Sequence, residues 1–387
     1  MKVFDGTFFE IGSEGEQLRI PIRSSSEWVV TGNWGKWCEI RQESGEKVYT
    51  LVLDVGVNIA RQERGMSLEL SNREETLEIE LRQAAATEEY EYVLPVIFHV
   101  LYRVPEDDVP VGYLSSCLER VNELYRDGPV DMNLKFVLAT HDPNGQLLEE
   151  PGVRREFREG LPMDMFDFVG NKFGDCAWIW DPKEYINVVI FDSKSILSGC
   201  AHFPYLPECV VLPGVLFSDW YADHLPDAHV HCVAWNRSHM FSRYELLGVI
   251  FDYDVFTLAH EMGHYLGLLH PFVDGKGNFG DYCDDTPDYC VNGYETFLSE
   301  LDETFPYSDD NYRKVIQRVA LNGRVFIADN IMDYEFGYLD RFTLEQRKRV
   351  RTVLENAWLL PGPKIEVEPR ARSGKKAVKP SVPKPVS

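Results

Sequence analysis

Six stretches between residues 17 and 82 alternate apolar and polar positions: Gln17–Ile22, Trp28–Thr31, Lys36–Arg41, Val48–Val55, Ser67–Ser71 and Thr76–Arg82. A period of two sends successive side chains to opposite faces, so each stretch predicts a half-buried strand. Clusters of Ser, Gly, Asn and Glu separate them, and residues 1–86 are expected to close as a small immunoglobulin-like β-sandwich. Ala84–Glu91, rich in Ala, Thr and Glu, reads as a linker. Beyond it the pattern changes. Apolar runs at Tyr92–Tyr102 and Tyr185–Phe191 predict strands, as does Met132–Ala139, while Val111–Arg126 has helical spacing. A last helix is expected over Phe342–Leu359, where Thr343 and Gln346 have capping-box spacing, with little regular structure between His270 and that point. The chain thus divides into residues 1–86, an α+β region over 87–360, and a Pro/Lys/Ser-rich basic tail over 361–387 that is expected to be disordered.

The candidate chemistry lies at residues 260–270, His-Glu-Met-Gly-His-Tyr-Leu-Gly-Leu-Leu-His. Residues four apart share a helix face, so His260 and His264 can present two imidazoles to one metal ion. Gly267 can leave the helix at positive φ and turn the chain so that His270 becomes a third ligand. Three neutral ligands leave a fourth position open, as a catalytic zinc site requires. Glu261, beside the first ligand, is the candidate general base for a zinc-activated water. With 10 His and 28 Gly in 387 residues, the full pattern arises by chance about 3 × 10⁻⁵ times per chain, so a core helix with satisfied histidines is the weaker reading. About sixty residues later, Asn330-Ile-Met-Asp-Tyr334 supplies a methionine turn, and the two together are the metzincin pattern.

Three further segments narrow the family. Gly280-Asp-Tyr-Cys-Asp-Asp-Thr-Pro287, His270-Pro-Phe272 and Phe342-Thr-Leu-Glu-Gln-Arg-Lys-Arg349 resemble motifs of the pappalysin family of metzincin endopeptidases. Tyr92–Tyr102, Tyr185–Phe191 and Gly199-Cys-Ala-His-Phe-Pro204 resemble the strands and loop that precede that family's zinc helix, so the likeness runs from about Tyr90 to Trp358. The resemblance implies a metzincin-type α+β domain, a mixed sheet with a zinc-bearing active-site helix, that hydrolyses internal peptide bonds. It implies Tyr334 as a catalytic stabiliser of the oxyanion and Met332 as a structural floor that binds no metal. It also implies calcium near Asp281, Asp285 and the carbonyls of Cys283 and Thr286; the competing reading is an acidic surface turn. Two departures stand out: Glu335–Phe342 lacks the family's cysteine, and Cys283 replaces a valine. Trp28, Trp37, Gly45, Asn58, Arg64-Gly65 and Ile79–Gln83 resemble a BACON domain, a bacterial immunoglobulin-like module often placed before secreted hydrolases.

Composition adds limits. The formal net charge of −24 argues against nucleic acid and offers no basic face to anionic lipid. Such acidity can favour cationic substrates or calcium, but more often maintains solubility. No apolar run of about eighteen residues suggests a membrane span, and no secretory signal opens the chain, although the family is usually exported. An extracellular, periplasmic or surface location is therefore expected from the resemblance. The eight cysteines fit an oxidising compartment, with Cys200/Cys209 and Cys283/Cys290 as local pairs to test. Trp28 and Trp37 could stack on glycan, or form the sandwich core; Cys38 could offer a thiolate to the zinc of a latent form, or be a small buried residue. His231, in His229-x-His231-Cys232, is expected in a surface loop rather than at a second zinc, and His99 in the core. Asp333, Glu335 or Asp340 could favour basic substrate residues. The rival to a peptidase acting on protein or peptide is a glycan-binding adhesion protein with a vestigial or latent peptidase domain.

Overall fold

Alternation over residues 16–83 produces strands at nearly the expected places. The computed structural model of this chain describes every residue except 33, 45–47, 170–178, 225–230, 242–243, 247–248, 252, 275–279, 300–308, 335 and 366–387. The described part falls into two units, centred on Met1–Tyr90 and Glu91–Gly362.

In the first unit, β1 (Lys2–Val3), β3 (Glu16–Arg23), β6 (Tyr49–Val55) and β5 (Cys38–Glu43) form one antiparallel sheet in that order. The second sheet runs β2 (Phe8–Ile11), β8 (Thr76–Gln83), β7 (Arg64–Ser71) and β4 (Val29–Gly32), with β2 parallel to β8. Ile20, Ile22, Leu51 and Leu53 from one sheet meet Leu68, Leu70 and Ile79 from the other in a single core. Trp28 belongs to that core, edge-on to Tyr49, and the half-buried Trp37 lies under the Arg64 guanidinium. Cys38 is also a core residue, and burial pushes its thiol up to about 11. Trp28 and Cys38 are thus placed in the sandwich core.

The second unit is built on a mixed sheet in the order β10 (Leu134–Leu138), β9 (Tyr92–Tyr102), β12 (Ile186–Phe191), β16 (Val233–Asn236), β13 (Gly199–Ala201). A further strand, β11 (Val153–Phe157), pairs with the C-terminal half of β9. All pairings are parallel except that of β13 with β16. Strand β12 is buried along its whole length, as its unbroken apolar sequence requires for a strand covered on both faces. In α1 (Val111–Arg126), Leu114, Cys117, Leu118, Val121 and Tyr125 recur at helical spacing and form the buried stripe. That stripe meets α3 (Tyr253–Tyr265), where the Tyr125 hydroxyl donates to the Ala259 carbonyl at 2.9 Å. Helix α3 in turn packs against β13 and β16.

Shorter elements complete the unit: α2 (Met165–Val169), β14 and β15 (Tyr205–Leu206, Leu216–Phe217), and the hairpin β17–β18 (Tyr244–Leu246, Val249–Phe251). The stretch after His270 is more regular than its sequence suggests. It holds β19 (Phe272–Val273), β20 (Tyr289–Cys290), α4 (Val291–Ser299), α5 (Asp309–Ile316), β21 (Gln317–Val319) and β22 (Val325–Ile327) before α6 (Leu344–Asn356). These elements are mostly two to nine residues long, too short for periodicity to reveal. Helix α6 begins with the expected capping box between Thr343 and Gln346.

The expected disulfides do not form. Cys200 is a core residue on β13, facing the cluster that also contains Cys232, whereas Cys209 lies half-buried outside it; Cys283 is buried and Cys290 exposed. All seven described cysteines are thiols; Cys176 lies outside the described residues, as does the tail from 366. Among the described residues no helix is long and apolar enough to cross a membrane.

Candidate metal and catalytic centre

Helix α3 places His260 and His264 one turn apart on one face, edge-to-face at 4.6 Å between ring centroids. The helix ends in a Schellman motif: the Leu268 N–H donates to the Gly263 carbonyl and the Gly267 N–H to the His264 carbonyl, both at 2.9 Å. Gly267 adopts φ +87°, as its role in the motif predicts, and the chain turns back to bring in His270. Its Nε2 atom lies 3.2 Å from His260 Nε2 and 2.9 Å from His264 Nε2.

Tautomers follow from the acceptors behind the rings. His260 Nδ1 is 2.9 Å from the Ile331 carbonyl, and His264 Nδ1 is 2.8 Å from the Leu268 carbonyl. A carbonyl can only accept, so both Nδ1 atoms carry hydrogen and both Nε2 lone pairs point toward His270. Burial pushes His260 down to about 4 and His264 well below the usual imidazole range, which keeps both rings neutral at pH 7. Convergent neutral lone pairs suit a zinc ion, and the carbonyls behind them are the partners that orient metal-binding imidazoles. Among the described residues, no other group of three His, Cys, Asp or Glu side chains converges in this way.

Glu261 is buried beside the triad, its Oε2 atom without a hydrogen bond, and burial raises its carboxyl well above the usual range. It rests against Gly199 of β13, where a Cβ would come within 2.6 Å of Glu261 Cγ and 2.9 Å of Oε1. The bare backbone at Gly199 therefore makes the room in which this carboxylate sits.

Met332 lies under α3: a Cβ at Gly263 would meet its sulfur at 2.3 Å. The methionine turn is pinned from behind. Asn330 Oδ1 accepts from the Met332 N–H at 2.9 Å, and its amide exchanges hydrogen bonds with Gln346 at 2.8 and 3.0 Å. Gln346 thus serves both the capping box and the turn. Arg318 holds the far side, its guanidinium donating to the carbonyls of Tyr334 (3.0 Å) and Phe336 (2.8 Å) and lying over the Tyr294 ring. Tyr334 reaches the triad, with its ring 4.5 Å from that of His270 and 5.8 Å from that of His260.

No side chain of the 281–286 turn joins the histidine group. Asp281 Oδ1 accepts from the Cys283 N–H (3.0 Å) and the Thr286 hydroxyl (2.8 Å), while the Cys283 carbonyl accepts from Thr286. Asp285 receives the Glu345 N–H at the start of α6, at 3.0 Å. Asp281 Oδ2 is buried without a hydrogen bond. The groups named for calcium are therefore largely engaged with one another and with α6. His231 departs from the surface loop expected of it: it is buried, its ring 4.6 Å from Tyr265, and His229 lies outside the described residues. His99 is buried as expected, bonded to Asn187 at 2.8 Å. The contacts of Gly199 with Glu261, of Arg318 with the methionine turn and of Asn330 with Gln346 had no signal in the sequence, because each joins residues beyond one local turn of chain.

Residues 175–355 match the peptidase M43 family, described as pregnancy-associated plasma protein-A. An extracellular metalloprotease of Verticillium alfalfae is 27% identical over 241 residues, covering 56% of this chain and 70% of that protein. Among solved structures, a point mutant of Tannerella forsythia promirolysin is 21% identical, covers 70% of this chain and 84% of that one, and superposes with a TM-score of 0.48. A protein of Bacteroides thetaiotaomicron solved by NMR is 13% identical, covering 22% of this chain and 86% of its own, with a TM-score of 0.17. The matched region encloses the three histidines and the methionine turn, so over residues 175–355 this chain is similar to the pappalysin family of metalloproteases.

Proposed function

We propose that this chain is an exported zinc endopeptidase that hydrolyses internal bonds of protein or peptide substrates, with Glu261 as general base. The observation that carries the reading is the convergence of three Nε2 atoms beside a buried carboxylate that has an unused oxygen. His260, His264 and His270 would hold the zinc, which supplies Lewis acidity to the reacting carbonyl and to the attacking water. Glu261 accepts the proton of that water and returns it to the departing amine nitrogen; burial, which disfavours the charged carboxylate, suits it to both transfers. The Tyr334 hydroxyl donates toward the oxyanion as it develops.

The 281–286 turn is read as a brace for the start of α6, where the Glu345 N–H donates to Asp285 and the Asp284 N–H to the Glu345 carboxylate. The first unit is read as a BACON-type immunoglobulin-like module that spaces the enzyme, its tryptophans serving its own packing. The extracellular relative supports export.

Glu261→Ala tests the base. The variant is expected to keep one zinc per chain and lose nearly all turnover, by about 10³-fold or more. Retention of substantial activity at full zinc loading would remove Glu261 from the mechanism.

A further inference from the structure

We infer that the cleft beside the histidine triad selects substrates by an apolar side chain flanking the bond to be cut. The inference rests on the peptidase reading above and names its substrate class.

A cleft of about 230 Å³ opens next to His260 and Glu261. That is smaller than the roughly 300 Å³ at which pockets for whole small molecules begin, and it suits one side chain. Five apolar side chains line it, beside the polar Ser198, Tyr253 and Thr257. Ile196 and Leu197 come from the loop before β13, Phe256 from the first turns of α3, Ile331 from the methionine turn and Leu339 from the segment after it. Ile196 is 91% exposed at the mouth, a bare aliphatic group where a substrate must pass.

Among the described residues two carboxylates line this cleft, and neither is placed to select a basic side chain. Glu261 is the proposed base. Asp333 is buried and accepts from the Tyr289 hydroxyl and from the Tyr334 N–H, the latter at 2.7 Å. The positive charge of Arg318 acts on the same carboxylate, and Arg318 is anchored by the carbonyls of Val315, Gln317, Tyr334 and Phe336. A lysine or arginine of the substrate would have to break into this network to reach Asp333, leaving buried groups unpaired. Asp340 is exposed next to Arg341, and Glu335 lies outside the described residues. An apolar side chain meets no such obstacle and removes the exposed apolar walls from water.

The test is a digest of a diverse peptide library by the zinc-loaded full-length chain, read by mass spectrometry, with Glu261→Ala as control. Cuts made by the wild type alone should show Leu, Ile, Met or Phe at one flanking position, favoured about 10-fold or more over charged residues. Leu339→Asp keeps a residue type that tolerates the φ of +47° found there and puts a carboxylate on the wall. It should move the preference toward Lys and Arg, chiefly through KM. Leu197→Asp, at another lining position, repeats the test should the first variant fold poorly. Wild-type cuts beside Lys or Arg, or with no preference, would overturn the inference while leaving the peptidase intact. An absence of wild-type cuts would overturn the peptidase reading, and this inference with it.

Discussion

Replacing Gly199 by alanine should disable catalysis while sparing both fold and metal site. Gly199 lies on β13, at the edge of the mixed sheet, with Glu261 packed against its bare Cα. A Cβ there would sit 2.6 Å from Glu261 Cγ, and ordinary contact begins at 3.4 Å, so the carboxylate must retreat by about 0.8 Å or swing to a new rotamer. Displacement of a catalytic group by about 1 Å costs on the order of 10²-fold in rate. The predicted loss in kcat/KM is therefore about 100-fold, or close to 3 kcal/mol of transition-state stabilisation. Strand geometry accepts alanine at this position, because its φ is not in the left-handed region. The three histidines are untouched, so zinc content by atomic absorption should remain at one per chain and the thermal midpoint should shift little. Steady-state kinetics on a peptide cut by the wild type give the test. Wild-type turnover in Gly199→Ala would show that the position of Glu261 does not govern the rate. Loss of zinc along with activity would mean that β13 supports the ligands and not the base.

Two further outcomes follow from the same geometry. Gly267→Ala forces an L side chain into φ +87° and puts a Cβ 2.7 Å from Val353 Cγ2, which together should cost about 2–4 kcal/mol in denaturant titrations. Val353→Ala in the same chain should relieve only the overpacking part. Acid should destabilise the protein through its buried neutral histidines. Burial pushes His99 and His202 down to about 4, below the ordinary 6.5, so the unfolded chain takes up protons first as pH falls. Their effect is absent above about pH 6.5 and grows until about pH 4, reaching roughly 2 kcal/mol per histidine at pH 5. His99→Gln should therefore show a stability difference between pH 7 and pH 5 that is smaller than the wild type's by about that amount; an unchanged difference would refute the assignment.

What the sequence made legible was chemistry written within a single turn of chain. His260, His264 and Gly267 announce themselves because a helix turn and its Schellman end are local devices, set by residues three to six positions apart. The same holds for the Thr343/Gln346 capping box and for the strands of the first unit, where alternation alone specifies which side chains face inward. Features set by distant partners were not legible. No local rule says that Gln346 also grips Asn330, that Gly199 is bare because Glu261 needs the space, or that Arg318 anchors the turn carrying Tyr334. His231 was misplaced for the same reason: its neighbours in sequence offer it no partner, yet the fold buries it against Tyr265. The cysteine pairs failed on geometry, since proximity in sequence says nothing about whether two Cβ atoms face each other. The acidic residues near the methionine turn carry the same lesson into function. Asp333 read alone suggests a basic substrate, but its hydrogen bonds to Tyr289 and Tyr334 and the charge of Arg318 turn it into part of the floor. Ligand identity could thus be read from a motif, whereas selectivity depends on which charges the fold has already neutralised, and that is decided by residues some 15 to 44 positions away.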